Sequence, residues 1–205
     1  MAVKTKIPVV PAQQKGAESF TRSVIRCATT EVASIRFEMA RVRLLNINKW
    51  KVIAGGGAAF QLTDQAGIEV NRKPIEGDYI RINIPGVPAT RTGSGTEWVK
   101  IERIAEEKAA GSRSVSITVK PSDCPITHET ATAHFFSRDA SSTFRVEQAG
   151  KKVFAMVIGK NELPNTGTGR FLEKLRNLVV GLAAMAGLNK PQWKKLVTGI
   201  LEQAG

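Results

Sequence analysis

Cysteine, histidine and tyrosine are scarce: 205 residues contain two, two and one of them. Two cysteines, Cys27 and Cys124, cannot build a disulfide framework, so a reduced, cytoplasmic protein is expected. Long apolar runs are missing as well. The longest, "LVVGLAAMAGL" at 178–188, has 11 residues, against about 20 for a membrane-spanning helix. The first 20 residues hold only "IPVV" as an apolar patch, far short of the apolar stretch of a secretory signal. An integral membrane protein is therefore not expected.

Acidic residues are also few, 18 against 30 Lys and Arg, for a net charge of +12. The excess sits at the two ends: residues 1–51 carry +7, residues 52–144 carry −1 and residues 145–205 carry +6. Such asymmetry suits an acidic protein, nucleic acid or an anionic membrane surface, but it equally describes a solvated basic surface that keeps the chain soluble.

What remains is the composition of a folded domain, 42% hydrophobic and 23% charged, in a chain long enough for one substantial core. Residues 1–20, rich in Pro, Gln and Lys, read as a flexible basic tail. In 29–50, Val32, Ile35, Met39, Val42 and Leu45 fall at helical spacing behind a Thr29 or Thr30 cap. Ile35, Phe37 and Met39 also alternate as in a strand, so helix is favoured only slightly.

Eight short strands are then expected, at 58–63, 67–71, 78–84, 97–104, 114–119, 131–136, 142–147 and 152–158. The fold class is α+β: a strongly curved or barrel-like antiparallel sheet, preceded by a helical or mixed element. Residues 21–168 make the β-rich core. Residues 169–205 make a C-terminal helix pair, the first with Phe171, Leu175, Leu178, Leu182 and Met185 in one stripe. The second is capped by Asn189, with Pro191 in its first turn.

Candidate sites are thin. Gly55 to Gly57 stand where a phosphate loop could, after an apolar run, but no Gly-Lys-Ser/Thr follows and "AAFQLTDQAG" does not suit a helix. A flexible joint is the expectation. Cys124, His128 and His134, with Asp123 and Glu129 nearby, are metal-ligand types, yet the spacing fits no common zinc pattern, and surface turns and strand faces account for them. No metal and no cofactor are expected. Tyr79 and Arg81 share a strand face, an aromatic beside a cation. With Trp98 and His134 they form the candidate ligand-binding set.

"GDYIRINIPG" (77–86), "EWVKIERI" (97–104), "ATAHFFS" (131–137), "STFRV" (142–146), "KNELPNT" (160–166) and "QWKKLVTGIL" (192–201) give the chain a resemblance, over residues 20–204, to a family of bacterial proteins of unknown function. The resemblance implies a bacterial cytoplasmic protein and carries over no activity or binding residue. The order of early helix, antiparallel sheet and late helix is also similar to helix-grip ligand-binding domains. The break at Gly187–Pro191 departs from the one long helix of that fold.

The leading reading is a non-catalytic binding or interaction module, since no complete catalytic constellation is visible. The alternative is a carrier of a small apolar ligand, held between the sheet and the helix at 170–187. A third is a hydrolase or lyase using Asp78, His134 or Glu162. A large enclosed cavity would favour the carrier and a filled interior the module.

Overall fold

A computed structural model describes residues 9–83, 96–126, 137–163 and 191–202. Seven strands form one antiparallel sheet: β1 (Ala17–Arg26), β2 (Ala59–Thr63), β3 (Tyr79–Asn83), β4 (Thr96–Ala109), β5 (Ser112–Pro121), β6 (Ser141–Ala149) and β7 (Lys152–Glu162). Their spatial order is β1-β7-β6-β5-β4-β3-β2, so consecutive strands from β2 to β7 pair in turn and β1 joins the far side of β7. Among the described residues the sheet ends at β1 and β2 and is open rather than a closed barrel.

Of the eight expected strand segments, six are strands, 67–71 is not, and 131–136 lies outside the described residues. β1 is not expected as a strand, yet its first residues, Ala17 to Phe20, belong to the sheet rather than to the tail. The segment just before it is also held. Asn161, in a left-handed conformation with φ of 55°, accepts from the Gln14 and Lys15 amides and donates to the Ala12 carbonyl. Residues 67–71 contribute a single bridge, Thr63 to Glu69, in place of a strand. The expected strand at 131–136 lies outside the described residues.

Between β1 and β2 the chain forms α1 (Thr30–Leu45), a 3-10 turn (Ile47–Lys49) and α2 (Trp50–Ile53). Thr29 caps α1 by accepting from the Val32 amide. Gly55, Gly56 and Gly57 follow α2 with φ of 68°, 115° and 86°. Only glycine adopts three such values in succession without strain, and the triplet is the joint that turns the chain into β2. Residues 191–202 form a helix, α3, with Pro191 in its first turn. The first helix of the expected pair, 169–187, lies outside the described residues.

All three helices pack on one face of the sheet. From β2 to β7 that face supplies Phe60, Leu62, Ile80, Ile101, Val115, Ile117, Phe144, Val146, Val153 and Ala155, all buried. α1 contributes Ala33, Phe37, Ala40 and Leu44, and α3 contributes Leu196, Val197, Ile200 and Leu201. The expected α1 stripe holds only in part: Val32, Ile35 and Val42 are 41%, 63% and 56% exposed, Met39 is half-buried and Leu45 is buried. Small residues let the opposite face approach the sheet, where Arg113 covers the Phe37 ring at 4.2 Å and donates to Glu38 and the Ser34 carbonyl.

α3 is held by three polar contacts. Lys194 Nζ donates to the Arg22 carbonyl at 2.8 Å, Thr198 Oγ1 to Ser23 Oγ at 3.3 Å, and Arg43 Nη1 to the Ile200 carbonyl at 3.0 Å. The element order is strand, helices, meander, helix, so the expected succession of early helix, antiparallel sheet and late helix is present with β1 added before it.

Candidate functional site

Four aromatic rings meet where α2 and α3 lie on the sheet. Trp50 comes from α2, Phe60 from β2, Phe144 from β6 and Trp193 from α3. Their centroids form a closed circuit: Trp50 to Phe60 at 5.4 Å, Phe60 to Trp193 at 6.0 Å, Trp193 to Phe144 at 5.3 Å and Phe144 to Trp50 at 4.6 Å. The rings are tilted or edge-on, as the quadrupole of each π-system prefers. Trp50 is fully buried and its indole N–H donates to the Leu44 carbonyl at 3.1 Å. Trp193 is half-buried and forms the solvent-side wall.

The rings border a cavity of about 50 Å³, closed on the sheet side by aliphatic side chains such as Ile80 and Val99. Among the described residues one hydroxyl lines it, that of Ser142. A volume of 50 Å³ is roughly a third of the 150 Å³ that admits a benzene ring. As it stands the pocket suits a short alkyl end.

The residues singled out from sequence lie elsewhere. Tyr79, Arg81 and Trp98 do come together: Arg81 is the cross-strand partner of Trp98, and Tyr79 stands two residues along on the same face. That face is the one opposite to Ile80 and Val99, hence the side of the sheet away from the cavity. Trp98 is buried there, and Arg81 is engaged by Glu69 at 2.5 Å. His128 and His134 lie outside the described residues. Cys124 is a half-buried free thiol, and Asp123 is paired with Arg138. Among the described residues no three His, Cys, Asp or Glu side chains gather into a metal-binding group.

Asp78, a candidate catalytic carboxylate, is fully buried and holds a turn together. Arg72 donates to both its oxygens, at 2.6 and 2.9 Å, and the Ile75 amide donates to one of them at 3.0 Å. This hydrogen bonding raises the Arg72 pKa above its ordinary value. With both oxygens occupied, Asp78 is poorly placed to take a substrate proton. Glu162 lies at the end of β7 and accepts from Ser19 Oγ at 2.9 Å.

The pocket residues escape a sequence reading because Trp50, Phe60, Phe144 and Trp193 are scattered over 144 positions and share no motif. The one available signal is compositional. All three tryptophans are buried or half-buried, and two of them sit at the start of short helices.

The basic excess has a local expression. Arg26 and Lys152 are cross-strand partners at the end of β1 and β7, with Lys151 in the adjoining turn. All three are exposed and none has an ion pair among the described residues.

No family model and no curated protein matches the chain. Among solved structures, the major latex-like protein 151 from Panax ginseng is 13% identical, covering 83% of this chain and 98% of its own at a TM-score of 0.40. The protein TTHA0849 from Thermus thermophilus is 13% identical, covering 92% and 100% at 0.39. Norcoclaurine synthase from Thalictrum flavum, in complex with dopamine and hydroxybenzaldehyde, is 9% identical, covering 98% and 99% at 0.38. No helix among the described residues is long and apolar enough to cross a membrane. Likeness at these scores lends the chain neither a ligand nor an activity, and the functional reading rests on its own side chains.

Proposed function

We propose that the protein is a non-catalytic binding module that grips the apolar end of a small ligand in the aromatic pocket. The observation that carries the reading is the closed circuit of Trp50, Phe60, Phe144 and Trp193 around a small apolar space with a single hydroxyl. Ligand sites are concave and mostly apolar, with few polar groups to fix orientation. The pocket has that character but less volume than the roughly 300 Å³ of a small drug site, so it holds an end and not a whole molecule. The candidate carboxylate Asp78 is engaged by Arg72, and among the described residues that line the pocket no nucleophile stands beside a base.

Tryptophan fluorescence tests it. Short alkyl alcohols titrated into the full chain should shift the emission of Trp193 and Trp50, and Trp193→Ala should change the affinity. No spectral change and no gain in melting temperature with any alkyl probe, up to the millimolar range, would overturn the reading.

A second reading is supported by Arg26, Lys151 and Lys152, which form a basic corner at the end of β1 and β7. Clustered, unpaired cations at a surface suit a polyanion such as nucleic acid or an acidic protein.

A further inference from the structure

We propose that the ligand held by the aromatic pocket ends in a hydrogen-bond-donating head, an amine or an alcohol, read by Ser142, Ser19 and Glu162. The proposal rests on the reading of the pocket given above and names the chemistry of the ligand's other end.

Ser142 lines the cavity, and its hydroxyl has no hydrogen-bond partner among the described residues. Ser142 is half-buried, so its hydroxyl can exchange water for a polar group that a ligand brings to the pocket wall. Its neighbours across the sheet continue the theme. The cross-strand partner of Ser142 on β7 is Gly159, and the partner of Gly159 on β1 is Ser19. Residues paired in this way share a face, so Ser142, Gly159 and Ser19 form a row on the cavity side.

Over the middle of that row lies a carboxylate. A Cβ on Gly159 would stand 2.0 Å from Glu162 Oε1 and 2.3 Å from Ser19 Oγ. Any side chain there would expel the pair, and glycine is what lets Glu162 fold back across β7 to meet Ser19. Two local irregularities help: the register shift between Ala17 and Ser19, and the left-handed Asn161 just before Glu162.

The inner face therefore changes character along the strands. Phe144 and Val157 lie two residues from Ser142 and Gly159 on the same side, and they are apolar and buried. One step further the face offers two hydroxyls and a carboxylate. Adjacent strands are about 4.8 Å apart, so a chain of a few carbons whose end sits among the four rings brings its head beside Ser142 and within reach of Glu162. A carboxylate has room for more than one donor. It attracts an ammonium or hydroxyl head and repels a second carboxylate.

The test is binding of 1-hexylamine, 1-hexanol and hexanoate to the full chain, followed by calorimetry and tryptophan fluorescence. The amine and the alcohol should bind at least ~10-fold more tightly than hexanoate. Ser142→Ala should weaken both by ~2–10-fold, the net worth of one hydrogen bond. Glu162→Gln should weaken the amine more than the alcohol, while a melting curve confirms that each variant is folded. A preference for the amine assigns the head to Glu162, and a preference for the alcohol assigns it to Ser142. Equal binding of all three probes overturns the donor head and leaves the apolar pocket standing. Absence of binding by all three overturns both. The wild-type comparison alone decides if a variant fails to fold.

Discussion

The rings of Trp50 and Phe144 lie 4.6 Å apart, tilted by 49°, and join α2 to the middle of β6 across the core. Both are buried, and each also touches a second ring of the same circuit. Replacing Phe144 by Ala should cost ~3–5 kcal/mol of stability, the range for removing a buried aromatic side chain. The pair should also show a coupling of ~0.5–1.5 kcal/mol beyond burial. A double-mutant cycle with Trp50→Leu and Phe144→Leu, followed by urea denaturation, measures it. Additive losses would mean that the rings share a space without a specific interaction.

The assignment of the α1 faces makes a second prediction. Phe37 is 3% exposed, beneath the Arg113 guanidinium, whereas Ile35 is 63% exposed. Phe37→Ala should cost ~3–5 kcal/mol, and Ile35→Ala should change stability by no more than ~0.5 kcal/mol. Equal losses in chemical denaturation would return α1 to the face expected from periodicity.

That pair of residues shows where sequence reading stops. A strand that alternates apolar and polar residues announces itself, and β3 and β5 are legible for that reason, Ile80 and Ile82 against Tyr79 and Arg81 being the clearest case, although the Ser114, Ser116 and Thr118 face of β5 is buried as well. The six strands that match lie within a few residues of where alternation puts them. α1 has large apolar residues on both sides, Val32, Ile35 and Val42 facing outward and Phe37, Leu44 and Leu45 inward. Its inner face is built from Ala33 and Ala40 around Phe37 because the sheet comes close, and small residues give a periodicity count little weight. β1 escapes notice because "AESFTRSVIR" shows only one buried residue, Ser23, as an edge strand needs to bury little. The pocket cannot be read at all. Its four rings are brought together by the meander and the return of α3, which are facts of topology that no local pattern contains.

The basic corner makes a third prediction. Arg26, Lys151 and Lys152 are exposed side by side. If they meet a polyanion, binding to heparin or single-stranded nucleic acid should be detectable at ~50 mM salt and fall steeply as salt rises, because released counterions drive such binding. Each phosphate that is no longer neutralised should lower the slope of log affinity against log salt by ~0.7–0.9. The triple change to Gln should flatten it by about two units. Binding that is undetectable at the low-salt end, or a slope indifferent to the three substitutions, would remove this corner as a polyanion site.

Gly199 makes the fourth, and its sign runs against helix propensity. In the interior of a helix, Gly→Ala normally stabilises by up to ~1 kcal/mol, because alanine loses less backbone entropy on folding. At position 199 the added Cβ would stand 1.9 Å from the carbonyl oxygen of Ile53 and 2.9 Å from its carbonyl carbon. Those are backbone atoms at the end of α2, next to the glycine joint, and no rotamer change relieves the clash. α3 would have to move away from α2, loosening the packing of Leu196 and Ile200, which are buried on either side of it in the helix. Overpacking of this kind costs ~1–3 kcal/mol, enough to outweigh the gain in propensity. Gly199→Ala should therefore lower the denaturation midpoint, and since Trp193 rides on the same helix, its fluorescence should move as well. Ala at an exposed position of α3, such as Lys195→Ala, should do neither. A midpoint for Gly199→Ala at or above that of the parent would falsify the close contact between α3 and α2, and with it the wall that Trp193 gives to the pocket.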